Sequence, residues 1–358
     1  MDEDGFYAIP YIMNDLIENS RLYLLAFLIP LALSCALTPL LRWFALRFGH
    51  LDTPLADIKT HKHPVPLLGG VAIFLAFSAG LVFMRFYTSF PTGTLRDLRV
   101  ILACGSIMFL LGLVDDLNKP HGLGVKTKFL IQFAAAFFAV LYGVRINFIS
   151  PDYLSFALSM VWLVGVANAF NIIDIMDGLS ASQVVMAALG FLLISFPSEA
   201  IYVNVASAAL AGAALGFLPY NFSKKMKIFM GDSGSLFCGF TLALVAMGTK
   251  YSAVNPLGVY APLFILAIPI YDTFFVSVMR LRRGHSPFIG SRDHFALRLE
   301  KIGFSRHRIV FLTALASLTF SVFAFLVTQV PLVWGALIYL VVGGEFLLTS
   351  IAISKIKI

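Results

Sequence analysis

The stretch Asn168-Ala-Phe-Asn171-Ile-Ile-Asp174-Ile-Met-Asp177-Gly178-Leu179 decides how this chain is read. It follows an apolar run, Tyr153 to Val166, and precedes another, Ala181 to Phe196. Two carboxamides and two carboxylates therefore sit where an apolar helix meets water. An Asp at a helix centre in hydrocarbon costs roughly 2.5–3.5 kcal/mol, so four polar groups this close belong at a water-facing end or cavity. They recur every third position. At about 100° per residue each step lags by about 60°, and in an unbroken helix the set fans across roughly half the circumference. Asn171 and Asp174 can share a target; Asp177 needs a bend, which Gly178 permits.

The surrounding chain explains why such a polar stretch must be special. Hydrophobic residues make up 59% and charged residues 13% of the 358, and the mean hydropathy is +0.89, far from soluble globular composition. A membrane span needs about 20 mostly apolar residues. Eleven segments approach that: roughly 22–41, 66–84, 99–114, 128–144, 153–168, 181–197, 201–218, 234–250, 259–279, 309–328 and 332–353. The expected fold class is all-α, a polytopic membrane protein with about 11 transmembrane helices. No internal repeat or low-complexity tract divides it, so residues 1–358 read as one integral-membrane domain. Its acidic start, Met1-Asp-Glu-Asp, lacks the basic opening of a cleaved signal peptide. Cys35, Cys104 and Cys238 lie in apolar segments without a CxxC pair, which gives no disulfide framework and no zinc site.

A net charge of +7 would suit nucleic acid, but its distribution points to topology instead. With the N-terminus outside, 20 of the 26 Lys and Arg residues fall on the inner side, and only Arg21, Arg85, Arg96, Arg99, Arg145 and Lys250 on the outer. That asymmetry predicts an external N-terminus and a cytoplasmic C-terminus, and it leaves no case for a nucleic-acid partner. On the inner side the polar motifs gather. The loop 42–65 carries Asp57, Lys59, His61, Lys62 and His63 ahead of Gly69-Gly70, either a basic turn or a phosphate holder. Asp115-Asp116 abuts an apolar helix; adjacent carboxylates repel, so a cation between them or a proton-transfer role would explain the pair. Lys128 opens the next segment, where it either snorkels or reaches a phosphate. Gly231-Asp232-Ser233-Gly234-Ser235 opens segment 8, where free N–H groups and the helix dipole favour anions. Asp232 there could cap the helix or ligate a hard cation through oxygen.

Segment 9 holds Pro262, Pro269 and Asp272 near its inner end, the pattern of a broken helix whose Asp faces protein or water. The basic loop after it contains Arg280, Arg282, Arg283, His285, Arg292, His294 and Arg298. It is a stop-transfer loop at least, and Arg292, His294 and Arg298 are the better set for a diphosphate. Glu345 is among the few polar groups of the last two segments.

Taken in order and on one face, these motifs resemble the polyprenyl-phosphate N-acetylhexosamine-1-phosphate transferases. That family includes the initiators of O-antigen and teichoic acid synthesis and the peptidoglycan phospho-MurNAc-pentapeptide translocase. The resemblance spans roughly residues 40–300. It implies transfer of a sugar-1-phosphate, GlcNAc-1-phosphate foremost, from a UDP-N-acetylhexosamine to undecaprenyl phosphate. The reaction releases UMP, uses Mg²⁺ or Mn²⁺, and takes place at the cytoplasmic side of the bacterial inner membrane. A homodimer is a further implication. By position, Asn171 and Asp232 become metal ligands, and Asp115 and Asp116 the paired acids near metal and lipid phosphate. Asn168, Asp174 and Asp177 shape the nucleotide-sugar pocket, with Asp174 and Asp177 in the catalytic set. Asn221 lies near uridine, and Lys128, Arg292, His294 and Arg298 hold phosphates. The family's basic loop often carries His-x-His-His; here Ala296-Leu297 follow a lone His294, which points away from the peptidoglycan translocase and toward the initiators.

The competing class is a secondary transporter. Transporters place sites near the midplane on broken helices and show repeated halves. Here only Asp272 and Glu345 favour that reading, and no halves match. A purely structural scaffold would not need a Gly-Asp-Ser-Gly-Ser helix start beside two other acidic clusters.

Overall fold

The computed structural model describes residues 8–53, 63–91, 93–119, 121–196, 200–249, 251–286 and 290–356, with backbone only for 8–19. The loop motif Asp57–Lys62 lies outside the described residues. A helix occupies each apolar segment of the sequence. In order these are α1 (Ala8–Phe48), α2 (Gly69–Tyr87), α3 (Thr94–Leu117), α4 (Val125–Leu141), α5 (Asp152–Ile172), α6 (Leu179–Ser195), α7 (Ile201–Phe222) and α8 (Gly231–Ala246), followed by α9 (Ala261–Ile265), α10 (Ala267–Arg282), α11 (Phe295–Lys301), α12 (Arg306–Gln329) and α13 (Leu332–Ser354).

Eleven crossings were expected, and fewer helices than that reach the length of a full span. Among the described residues seven helices are long and apolar enough to cross a membrane, or eight if α9 and α10 form one span bent by 73°. The difference is one of length. α4 and α6 have 17 residues and α8 has 16, short of the ~20 that a 30 Å core requires. The bend falls at Leu266, between the two prolines of the segment. Pro269 has no N–H, and its ring collides with the carbonyl four residues back, so a straight helix cannot run through this point.

α8 is the hub. Every residue from Ser233 to Ala246 is buried, and the helix is packed by α2, α3, α5, α6 and α7. Small side chains make the closeness possible. A Cβ on Gly112 of α3 would lie 2.3 Å from the Asp232 carbonyl and 2.4 Å from the Ser233 nitrogen, so the α3–α8 approach requires glycine there. α1 packs chiefly on α7, and α6 on α7 and α12. By contrast only 11% of the α13 span is buried within the chain.

A two-stranded antiparallel ribbon, β1 (Leu51–Asp52) and β2 (Val65–Pro66), closes one end of the bundle with Leu51 opposite Pro66 and Asp52 opposite Val65. It continues into the segment before α8. Phe229 N–H donates to Pro66 O at 2.8 Å, and Gly70 N–H to Met230 O at 2.8 Å. The ribbon thereby fixes the start of α8 against the start of α2.

Candidate active site

The decisive stretch is not one helix. α5 ends at Ile172, with Ile173 as its C-cap, and the chain turns through Asp174–Asp177 before α6 begins. Gly178 makes the turn possible with φ 76°, a conformation most side chains resist. Asn221 of α7 fastens it: its Oδ1 accepts the Gly178 N–H at 2.5 Å, and its Nδ2 donates to Ile228 O at 2.9 Å. The broken helix brings Asn171, Asp174 and Asp177 to a cavity of about 220 Å³ shared with Asn221 and Asp232.

Asn168 stays outside that cavity. One turn deeper, its Nδ2 donates to Gln132 Oε1 at 2.6 Å and to Val164 O at 2.8 Å. The three-residue spacing rotates it away from the others, and a buried amide partner on α4 satisfies it.

Three carboxylates meet where α3 ends and α8 begins. Lys119 Nζ bridges Asp116 at 2.8 Å and Asp232 at 3.3 Å. Lys128 Nζ bridges Asp115 at 2.7 Å and Asp232 at 2.9 Å. Three carboxylates thus share two ammonium groups, with one negative charge in excess. Burial pulls the pKa of Lys119 down, but the charges of Asp232 and Asp116 outweigh it and hold the ammonium above the ordinary lysine range. The adjacent pair Asp115-Asp116 avoids mutual repulsion because each acid has its own lysine.

The expected anion site at the start of α8 is already taken. Asp116 accepts the N–H of Asp232 at 3.0 Å and that of Ser233 at 2.9 Å, so α3 caps α8 from outside its own sequence. Asp232 is therefore not the cap, and its carboxylate is left to face Lys119, Lys128 and the cavity. Asp115 is held by a second anchor, the Leu123 N–H at 2.6 Å.

On the α6 side of the cavity Asp177 pairs with Lys227 at 2.7 Å, and Lys227 lies 5.1 Å from the centre of the Phe229 ring. Half-buried Asp174 has no such lysine. Burial, then the negative charges of Asp232, Asp116 and Asp177, push its pKa up from 3.8 to about 7, against the opposing pull of Lys119. Asp52, Lys119, Lys227, Phe229 and Arg306 also line the cavity, and sequence reasoning named none of them as site residues. Lys119 was detectable: Asp116 and Lys119 stand at an (i, i+3) spacing that places them on one face of a helical turn.

The basic loop differs most from expectation. Arg292 is exposed and does not line the cavity. Arg298 is completely buried; it donates to Asp293 Oδ1 at 3.0 Å and to Ser354 O at 3.3 Å, and it also bonds Ile356 O. It ties α11 to the end of α13 rather than reaching for a phosphate. His294 is buried with its Nδ1 2.7 Å from Asp272 Oδ2, and Asp272 Oδ1 accepts the Phe295 N–H at 3.2 Å. Asp272, which gave the transporter reading its footing, is thus the cap of a short helix. What this segment offers the cavity is Ser291 and Leu297.

A hard cation would find oxygen donors here: the carboxylates, and Asn171, which lines the cavity and whose Nδ2 is engaged by Ser235 Oγ at 3.0 Å. The donor types and the surplus negative charge fit Mg²⁺ or Mn²⁺ rather than zinc. Among the described residues no three His, Cys, Asp or Glu groups form a ready-made ligand set, because the carboxylates converge on the lysine ammoniums instead of on one shared point.

An all-α membrane bundle with this carboxylate–lysine centre is matched over residues 98–250 by the family described as glycosyl transferase family 4, and the chain belongs to that family. Its relatives are specific. It is 30% identical to the probable undecaprenyl-phosphate N-acetylglucosaminyl 1-phosphate transferase of Bacillus subtilis, over 86% of each chain. It is 31% identical to the decaprenyl-phosphate N-acetylglucosaminephosphotransferase of Mycolicibacterium smegmatis, over 76% of this chain and 73% of that one. Against the undecaprenyl-phosphate alpha-N-acetylglucosaminyl 1-phosphate transferase of Escherichia coli it is 29% identical, over 78% and 77%.

Proposed function

We propose that this protein transfers N-acetylglucosamine-1-phosphate, or another N-acetylhexosamine-1-phosphate, from a UDP-sugar to undecaprenyl phosphate. A phosphate oxygen of the lipid bonds to the β-phosphorus of the donor, the bond between that phosphorus and the bridging oxygen breaks, and UMP leaves with that oxygen. The product starts a lipid-linked cell-surface glycan. The observation that carries this reading is the centre in which Lys119 and Lys128 each bridge Asp232 to one member of the Asp115-Asp116 pair.

Two anionic substrates must approach each other, and positioning plus charge neutralisation dominates phosphoryl transfer. Lys119, Lys227 and Arg306 line the cavity and are placed to receive the donor diphosphate. Lys128 stands on α4 beside Asp115 and would receive the lipid phosphate. Phe229 offers a ring for a nucleobase, and Asp174, Asp177 and Asn221 shape the pocket around the sugar nucleotide. Asp232 and Asn171 would hold Mg²⁺ or Mn²⁺, with Asp115 and Asp116 close by; the ion's contribution is to neutralise the diphosphate charge. Direct attack by the lipid phosphate is favoured, because the side chains of Asp115 and Asp116 are both engaged by donors. We place the protein in the bacterial cytoplasmic membrane as a single domain, N-terminus outside and C-terminus inside, with the site facing the cytoplasm. The excess of basic residues at that end supports this.

The test is UMP release by purified protein across a panel of UDP-sugars, with undecaprenyl phosphate and with Mg²⁺ present or chelated. Activity with a UDP-N-acetylhexosamine that needs both lipid and metal is expected, and Asp232→Ala is expected to abolish it. Release of no UMP from any UDP-N-acetylhexosamine, or full activity in Asp232→Ala, sinks the proposal.

A further inference from the structure

A second cavity, of about 430 Å³ and roughly twice the volume of the one beside Asp232, lies at the other end of the bundle. α8 starts at the acid centre, and its last residue, Ala246, lines this second cavity, as does the loop that leads into α5. Trp162 of α5 donates its ring N–H to Ala243 O at 3.1 Å, and Tyr251 donates its hydroxyl to Ala246 O at 2.7 Å. These bonds satisfy carbonyls that the end of a helix leaves open. With their donors spent on α8, Trp162 and Tyr251 present ring carbon to the cavity they line.

Arg145 is the single charged group among the described residues that line the cavity. The backbone beside it is fixed: Ser159 Oγ accepts the Ile146 N–H at 2.9 Å, and Ser155 Oγ donates to Ile146 O at 2.6 Å. The guanidinium is paired with Asp152 at 3.8 Å, and that carboxylate is 87% exposed. Water weakens so open a pairing and leaves the cation available. The rim is aromatic. Phe148 and Tyr260 meet edge to face with ring centres 6.2 Å apart, and both are exposed. In membrane proteins such rings gather at the level of the lipid headgroups.

We propose that this cavity holds one anionic phospholipid of the surrounding membrane, with its phosphate on Arg145 and an acyl chain along Trp162, Tyr251 and Leu263. The guanidinium fork matches phosphate oxygens in pairs, and the aromatic rim sets it at headgroup depth. A soluble anion would use the cation and not the apolar wall, and a neutral hydrocarbon the wall and not the cation. A phospholipid uses both. Leu263 lines the cavity and is also 45% exposed, so a chain can enter from the side. The site lies the length of α8, about 24 Å, from the acid centre, and it does not depend on the proposed reaction.

The test uses one of the chain's three tryptophans, Trp162, as its probe. Full-length protein carrying Trp43→Phe and Trp334→Phe is placed in phosphatidylcholine nanodiscs doped with dibrominated phosphatidylglycerol or dibrominated phosphatidylcholine, and quenching of Trp162 is followed as the doped fraction rises. Quenching is expected to saturate, at a roughly fivefold lower fraction for the anionic lipid, the worth of one cation near a lipid surface. Arg145→Gln is expected to remove that difference, and Arg145→Lys to keep most of it. The thermal midpoint of each variant, rather than its turnover, is the check on folding, so the outcome is independent of whether the protein releases UMP. Unlabelled phosphatidylglycerol is expected to relieve the quenching, and undecaprenyl phosphate at the same fraction is not. The inference is overturned by equal curves for the two brominated lipids, by a preference that survives Arg145→Gln, or by equal relief from undecaprenyl phosphate, which would give the cavity to the tail of the acceptor.

Discussion

Asp116→Asn separates the two roles open to the paired acids. In the native site Asp116 Oδ1 takes the Asp232 N–H at 3.0 Å and the Lys119 ammonium at 2.8 Å, while Oδ2 takes the Ser233 N–H at 2.9 Å. An asparagine keeps one oxygen and presents an NH₂ in place of the other, so one backbone N–H at the start of α8 loses its acceptor and meets a donor. A buried donor left in this way costs about 1–3 kcal/mol. Loss of the negative charge at a partly buried helix N-terminus adds up to about 2 kcal/mol. The variant is therefore expected to be less stable by about 2–4 kcal/mol. The chain carries its own reporters: Cys104 and Cys238 are buried on the α3 and α8 helices that this cap joins, and Cys35 is half-buried. A thiol-reactive fluorogenic dye added during a thermal ramp reads their exposure, and the midpoint is expected to fall by roughly 5 °C or more. UMP release is expected to fall too, because Asp232 is carried on the helix being uncapped. A midpoint within a degree of wild type, with activity gone, would refute the capping argument and make Asp116 a chemical participant.

Three further outcomes follow from the same geometry. Asp174 has a folded pKa raised from 3.8 to about 7, so its ionisation penalises the native state; that penalty is absent below about pH 4, grows through pH 7 and is complete above it. Asp174→Asn should match wild type in thermal midpoint at pH 4 and exceed it at pH 8, by about 1–2 kcal/mol once solvent at its exposed edge is allowed for; equal midpoints at both pH values would count against the shift. Gly112→Ala places a methyl 2.3 Å from the Asp232 carbonyl and should cost about 1–3 kcal/mol of stability with at least a tenfold loss of UMP release, whereas normal activity would show that α3 and α8 tolerate separation. Arg298→Ala removes a buried partner of Asp293 and the tie to the end of α13, so the thermal midpoint should drop while KM for the UDP-sugar stays near wild type; a higher KM at an unchanged midpoint would return Arg298 to phosphate binding.

Much of the site could be read from the chain because the bilayer makes polar residues conspicuous. Asp115, Asp116, Asn171, Asp174, Asp177 and Asp232 each interrupt apolar sequence, and each reaches the acid centre or the cavity beside it. Even the bend at Gly178 was implied by spacing, since a straight helix would scatter the four polar groups. What escaped depends on contacts between distant segments. That Asp116 caps α8 requires the α3–α8 approach at Gly112, and neither partner signals it locally. Arg298 and His294 looked like phosphate ligands because charge in a basic loop has no address in sequence; their partners Ser354 and Asp272 are set by how α10, α11 and α13 pack. Lys227 and Arg306 were absorbed into the count of inner charges for the same reason. Helix length was less legible than apolarity, which marks burial and lipid contact alike: the 16 residues of α8 are apolar through burial within the bundle and fall short of the ~20 of a full span.

The shortness of α8 reaches beyond counting. At 16 residues and about 1.5 Å each, it extends roughly 24 Å, some 6 Å less than a typical hydrocarbon core. α6, with 17 residues, is scarcely longer, and both helices start at the cavity. With the far end of α8 at the opposite hydrocarbon edge, its start would lie about 6 Å beneath the headgroup plane, and on the proposed function a UDP-sugar would descend to it while the lipid phosphate would be drawn inward. Membrane thickness then becomes a variable of the reaction. In bilayers of shorter acyl chains the hydrocarbon edge moves toward the floor of the cavity and the lipid phosphate has less distance to travel; in thicker ones it has more. On that placement, turnover is expected to vary with the acyl-chain length of the surrounding lipids even though none of them takes part in the chemistry, and equal rates in thin and thick vesicles would refute it.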